Sequence, residues 1–335
     1  MIKLKTEVDL PLFRKKMGYR HPSMMIGSCF AENIGDQLRE RCLPTTVNPF
    51  GILYNPVSIA NSLTILLESQ EFTSRDLFFY DNLYHSFAHH GKFSRPDQQE
   101  MLDLINAKTI EASKVLKNCS HLFITFGTSW VFRHKESGKV VSNCHKLPGT
   151  LFDQYRLQVA QITEIWIPLL QQLFKLNPNL HIVFTVSPIR HLKDGAHNNQ
   201  LSKSVLLLAI DDLSTHFGGE LISYFPAYEL LLDELRDYRF YASDLTHPSD
   251  IAIEMIREKF ETSFFDQEAK SISSEMIKLV EATRHRLQNF NNIGFQSFIM
   301  KNIEIAQQIQ NKYPFIDVER IIKNLNEKIG ILYSD

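Results

Sequence analysis

Short apolar runs alternate along the 335-residue chain with longer segments of helical period, and this alternation narrows the choice of fold most. The clearest runs are Met24-Met25-Ile26-Gly27, Leu122-Phe123-Ile124-Thr125-Phe126, His181-Ile182-Val183-Phe184-Thr185-Val186 and Leu221-Ile222-Ser223-Tyr224, with Thr45-Thr46-Val47 as a weaker one. The longer runs are apolar almost throughout, as strands buried on both faces of a parallel sheet are. After Ser28, residues Phe30, Ile34 and Leu38 share one helix face. Asn55-Pro56 opens a second helix through Ile59, Leu63 and Leu66, with proline in a first-turn position where its missing N–H costs little. Further helices are predicted near 101–118, 153–176, 200–216, 226–236 and 249–264. Strand followed by helix, repeated, predicts an α/β fold with a parallel sheet and right-handed crossovers.

After about residue 266 the strand pattern stops. Ile272, Met276, Leu279, Thr283 and Leu287 form one helical stripe. Phe298, Ile305 and Ile309 suggest another, and Val318, Ile321, Ile322, Leu325 and Ile329 a third. The expected division is therefore an α/β unit over 1–265 and a helical appendage over 266–335. The appendage would pack on that unit or on a second subunit, which makes it the expected route to a homo-oligomer.

Charge is nearly balanced, 36 Lys and Arg against 38 Asp and Glu, and no Lys/Arg run stands out. Broad attraction to nucleic acid or to an anionic membrane is not expected. No run of roughly 18 apolar residues could span a bilayer. The segment Met1 to Asp9 interleaves charge with its apolar residues and lacks the core of a signal peptide. Cys29, Cys42, Cys119 and Cys144 are scattered, with no C-x-x-C pair, which suits a reducing compartment. The expected location is the cytoplasm. Neither G-x-G-x-x-G after a strand nor G-x-x-x-x-G-K-[ST] occurs, so no nucleotide cofactor is expected.

Ligands of open parallel sheets bind beyond the carboxyl ends of the strands. There, Gly27-Ser28-Cys29-Phe30 places Ser28 where strand turns into helix, beside free backbone N–H groups suited to a developing anion. A nucleophilic serine needs that setting. A helix cap uses serine at the same position equally well. Late in the chain, Asp244-Leu245-Thr246-His247 can bring a carboxylate beside an imidazole, so that Asp244 orients His247 and His247 takes the nucleophile's proton.

Gly27-Ser28-Cys29-Phe30-Ala31 resembles the motif that names the GSCFA family, within the wider SGNH (GDSL-type) hydrolases. Similar blocks follow in the family's order. They are Asn48-Pro49-Phe50-Gly51-Ile52-Leu53-Tyr54-Asn55-Pro56, Phe126-Gly127-Thr128-Ser129, Asn143-Cys144-His145-Lys146, Val186-Ser187-Pro188-Ile189-Arg190-His191, Tyr224-Phe225-Pro226-Ala227-Tyr228-Glu229 and Asp244 to Pro248. The resemblance covers roughly 20–265. It implies a three-layer α/β/α, flavodoxin-like fold and a Ser28–His247–Asp244 site, with the N–H groups of Ser28 and Gly51 in the oxyanion hole. The third block departs from Gly-x-Asn by carrying Ser129, whose hydroxyl offers one donor instead of two. Either Ser129 substitutes, or Asn143 reaches in, or turnover is slow.

Other residues carry two readings each. Cys144-His145 could be a thiol and its base, but adjacent residues do not face each other on a regular element; lining by Asn143, His145 and Lys146 is the better expectation. His85 and His89 have i, i+4 spacing, yet Phe78 to Tyr84 reads as loop or extended chain, so rim histidines are favoured over a metal. Arg190 follows the strongest strand and is placed to bind a carboxylate or phosphate, or to form a structural ion pair. Phe78, Phe79, Tyr80, Tyr84 and Phe87 wall a cleft or fill a core. The function expected is a serine esterase acting on a small acyl ester, with acetyl-carbohydrate as the candidate the superfamily favours. The alternatives are an acyltransferase with the same site and a catalytically weak binding or scaffold protein.

Overall fold

The computed structural model describes residues 5–284 and 293–331. Its strands in chain order are β1 (Ser23–Gly27), β2 (Thr45–Val47), β3 (Phe78–Tyr80), β4 (Leu83–His85), β5 (His121–Phe126), β6 (Trp130–His134), β7 (Val140–Val141), β8 (Phe152–Arg156), β9 (His181–Val186) and β10 (Ile222–Tyr224). The helices are α1 (Cys29–Glu40), α2 (Pro56–Glu68), α3 (Gln98–Asn118), α4 (Val159–Leu176), α5 (Ala196–Phe217), α6 (Ala227–Glu229), α7 (Asp250–Phe264), α8 (Gln267–Arg284), α9 (Ile293–Lys312) and α10 (Glu319–Ile331).

All five apolar runs pair in parallel as one sheet, in the order β10-β9-β5-β1-β2. Counting only these strands along the chain, that is the 2-1-3-4-5 order of flavodoxin-like doubly wound sheets, with the direction of winding reversing between β1 and β5. Alternate side chains feed two cores. Met24, Leu122, Ile182 and Ile222 lie against α2, α3, α4 and α5. Met25, Phe123 and Val183 lie against α1 and α7. Burial on both faces explains why these strands read as unbroken apolar runs.

Local chemistry starts the helices where the sequence pattern placed them. Ser28 caps α1 with its Oγ accepting from Phe30 N, and Asn55 caps α2 by accepting from Ser58 N ahead of Pro56. Two small antiparallel sheets were not anticipated. The segment Phe78 to His85 folds as the β3–β4 hairpin, turned by Asp81 and Asn82 at φ 48° and 59°. The helix predicted from 153 begins only at Val159, because Phe152–Arg156 pairs with β6 in the β7-β6-β8 sheet. Past residue 226, one short helix continues as a wider π turn over Leu230–Glu234.

The tail helices share the α1/α7 core: Ile272, Met276 and Leu279 of α8, Ile309 of α9, and Ile321 and Leu325 of α10 are buried in it with Val318. On α9 the buried stripe is Ile299, Ile303, Ala306 and Ile309, so Ile309 lies where the pattern put it, Ile305 packs partly buried at its edge, and Phe298 is 38% exposed. Leu287 and the side chain of Ile329 lie outside the described residues. Among the described residues no helix is long and apolar enough to cross a membrane.

Candidate active site

At the carboxyl edge of the sheet, beside the β1/β5 reversal, lies a cleft of about 550 Å³. One side is Cys29 and the segment after β2, represented by Ile52 and Tyr54. The far wall comes from β6 and the loop after β7, including Trp130 and Asn143. The loop after β9 supplies Arg190 and His191, and His247 closes the mouth. A larger surface groove of about 1060 Å³, between the N-terminal segment and the π turn, carries no paired base and nucleophile.

The Asp244–His247 turn is built from the backbone up. Leu245 sits at φ 57°, and Asp244 Oδ1 accepts from the backbone N–H of Thr246 (3.0 Å) and of His247 (2.9 Å). That leaves Oδ2 to meet His247 Nδ1 at 2.5 Å. Backbone donation from His247 and Thr246, then the imidazole contact, hold the Asp244 carboxyl well below the usual carboxylate range. With Nδ1 engaged, Nε2 is the nitrogen that His247 has free for the cleft.

Ser28 is not in this cleft. It is 1% exposed, its Oγ caps α1, and its N–H donates to Thr125 O at 3.2 Å. These contacts fit the cap reading of this serine. Its neighbour Cys29, the first residue of α1, is half-buried and lines the cleft with His247. Burial, with the Glu32 charge, holds the Cys29 thiol above its ordinary value, although the N–H groups of Cys29 and Phe30 at the helix start and the Lys203 charge pull it down.

The residues expected to form the oxyanion hole are placed as follows. Gly51 N donates to Asn48 O at 2.8 Å and is spent within its turn. Ile52 lines the cleft, and among the described residues its N–H finds no acceptor. Ser129 is fully buried and gives its hydroxyl to Ser202 Oγ at 3.1 Å, so it does not stand in for an asparagine amide. Asn143 does line the cleft; its Oδ1 accepts from His145 N, leaving the amide Nδ2 as its donor end. His145 points away, with Nε2 on Ser86 O at 2.8 Å, and burial lowers its pKa to about 4. Cys144 lines the cleft, while the adjacent His145 is engaged on Ser86 O. His85 sits on the β3–β4 hairpin, and His89 is buried on Ser86 Oγ amid Phe50, Phe72 and Phe93.

Sequence reading missed Lys203. This fully buried lysine of α5 donates to Gly127 O at 2.6 Å and Ser187 O at 2.7 Å, joining the exits of β5 and β9 below the cleft. Burial lowers its pKa to about 7. An isolated lysine in a helical pattern gave no signal for this. Cys29 did carry one: it follows the cap, where α1 presents its first side chain to the ligand edge.

A doubly wound parallel sheet with a cleft at its winding reversal defines the class of this protein. The chain belongs to the GSCFA family, whose model matches residues 22–260. Among curated proteins none matches it in sequence. A solved structure, an acetyl xylan esterase from the rumen bacterium Butyrivibrio proteoclasticus, is 12% identical with a TM-score of 0.35; the match covers 72% of this chain and 62% of that one.

Proposed function

We propose that this protein is an acyl hydrolase of small esters whose nucleophile is the Cys29 thiol, with His247 as base and Asp244 as the group that orients it. The observation that carries the reading is the meeting of Cys29 and a carboxylate-backed histidine in one cleft. His247 Nε2 takes the thiol proton as Sγ attacks the acyl carbonyl. The N–H groups of Cys29 and Ile52 and the Asn143 amide meet the tetrahedral oxyanion. Collapse expels the alcohol, protonated by His247, and leaves a thioester. Water, activated by the same imidazole, then releases the acid; an acceptor alcohol in its place makes the reaction a transfer.

The resemblance to SGNH-type hydrolases supports acyl transfer with the Asp244–His247 pair, while the choice of Cys29 over Ser28 rests on which of the two lines the cleft with His247. The test is peptide mass spectrometry after brief exposure to p-nitrophenyl acetate, for the wild type, Cys29→Ala, Ser28→Ala and His247→Ala. Acetyl on the Cys29 peptide of wild type and Ser28→Ala, slow to form in His247→Ala, is expected. Acetyl on Ser28 instead would overturn the choice of nucleophile.

A further inference from the structure

Positive charge in the cleft is left without a partner. Arg190 lines it behind β9, and among the described residues it forms no ion pair. Its Nε is buried with no acceptor among the described residues, and the indole N–H of Trp130, which also lines the cleft, is buried with none either. Arg190 acts electrostatically on Tyr228, Tyr241 and the buried Lys203. The cleft's own acid, Asp194, is engaged with the Gln154 amide at 3.3 Å. After burial itself, the Arg190 charge lowers the pKa of Lys203, a repulsion between two cations that folding alone does not favour. Buried donors that line a cleft are placed to meet an acceptor on a ligand.

Resting on the reading of Cys29 as nucleophile, we infer that the substrate carries an anionic group, a carboxylate or phosphate, which Arg190 grips by charge-assisted hydrogen bonds while its acyl carbon faces Cys29. Specificity would then come from the charge on the substrate more than from its acyl chain.

Two alkylating agents of nearly equal size separate charge from access. In both, the Cys29 sulfur bonds to the methylene carbon as iodide leaves with the carbon–iodine electron pair, and the thiol proton passes to His247. Iodoacetate is anionic and iodoacetamide neutral. Site-resolved rates at Cys29 are measured on the full chain for the wild type, Arg190→Gln and Arg190→Lys. The iodoacetate-to-iodoacetamide ratio is expected to fall about tenfold in Arg190→Gln, the scale of one charge-assisted hydrogen bond, and to recover in part in Arg190→Lys. An unchanged iodoacetamide rate in Arg190→Gln shows that fold and nucleophile survive. Equal ratios in wild type and Arg190→Gln overturn the inference.

If neither reagent labels Cys29, the nucleophile reading fails by itself. The anion site is then read from thermal stabilisation by sodium phosphate and by sodium acetate, against sodium chloride of equal ionic strength. A shift in wild type that Arg190→Gln lacks supports the site, and the more effective salt identifies the group. No shift with either salt overturns it.

Discussion

The Asp244 carboxylate holds His247 twice, one oxygen on the backbone N–H at 2.9 Å and the other on the ring Nδ1 at 2.5 Å. A single residue thus sets both where the imidazole is attached and which way it faces. The turn keeps Leu245 in the left-handed region to make this possible, a conformation that costs a non-glycine residue on the order of 1–3 kcal/mol.

Asp244→Asn keeps an acceptor for the two backbone donors and loses the charge beside the ring. The alkylation rate of Cys29 at pH 7 should fall by about 10²–10⁴, with His247→Ala at the lower end of remaining activity. A rate within twofold of wild type in either variant would show that this pair does not activate the thiol.

On the proposed reading, Ser28 and Cys29 divide structure from chemistry. Ser28→Ala removes a cap and should cost about 1 kcal/mol in denaturant unfolding, with Cys29 still reactive. Cys29→Ala should abolish labelling in the cleft while leaving the Ser28 cap in place. Melting curves beside peptide mapping read both effects.

Gly27 ends β1 at φ 135°, and a Cβ built there would lie 2.1 Å from Thr125 O of the neighbouring strand. Neither the dihedral nor the backbone contact can relax without moving the sheet. Gly27→Ala should cost about 3 kcal/mol or more. Gly138, at φ 67° with nothing within 4 Å, is the internal comparison, and alanine there should cost only about 1–2 kcal/mol. Chemical denaturation of the two variants side by side checks the difference.

Acid should destabilise the protein through buried histidines. Burial lowers His89 and His121 to about 3 from 6.5, so each stays neutral in the fold where the unfolded chain is protonated. Their folded pKa values are depressed; stability is therefore complete above pH 6.5 and is lost as pH falls from 6.5 toward 3. At pH 5 each should cost about 2 kcal/mol. His89→Gln should flatten the fall between pH 7.5 and 5 by about one such share, measured by urea unfolding at each pH. An equally steep fall in the variant would exclude His89 as a source.

What was legible in the sequence follows from what is local. The five apolar runs at Met24, Thr45, Leu122, His181 and Leu221 all became strands of one sheet, because burial on both faces leaves a composition that no neighbour can disguise. Caps at Ser28 and Asn55 and the carboxylate–histidine turn at Asp244 were legible too, since each closes within about four residues. The β6–β8 sheet was not, because the pairing of Trp130 with Arg156 joins residues far apart in the chain, and Phe152–Arg156 reads equally well as the start of α4.

Which of Ser28 and Cys29, and which of Gly51 and Ile52, lines the cleft also lay beyond the sequence. Neighbouring residues differ in which way they point, and that direction is set by the contacts of Ser28 N with Thr125 O and of Gly51 N with Asn48 O. The unpaired charge of Arg190 and the buried ammonium of Lys203 have the same origin. A sequence names the charges, but only packing decides which of them meet an opposite charge and which are left facing a cleft.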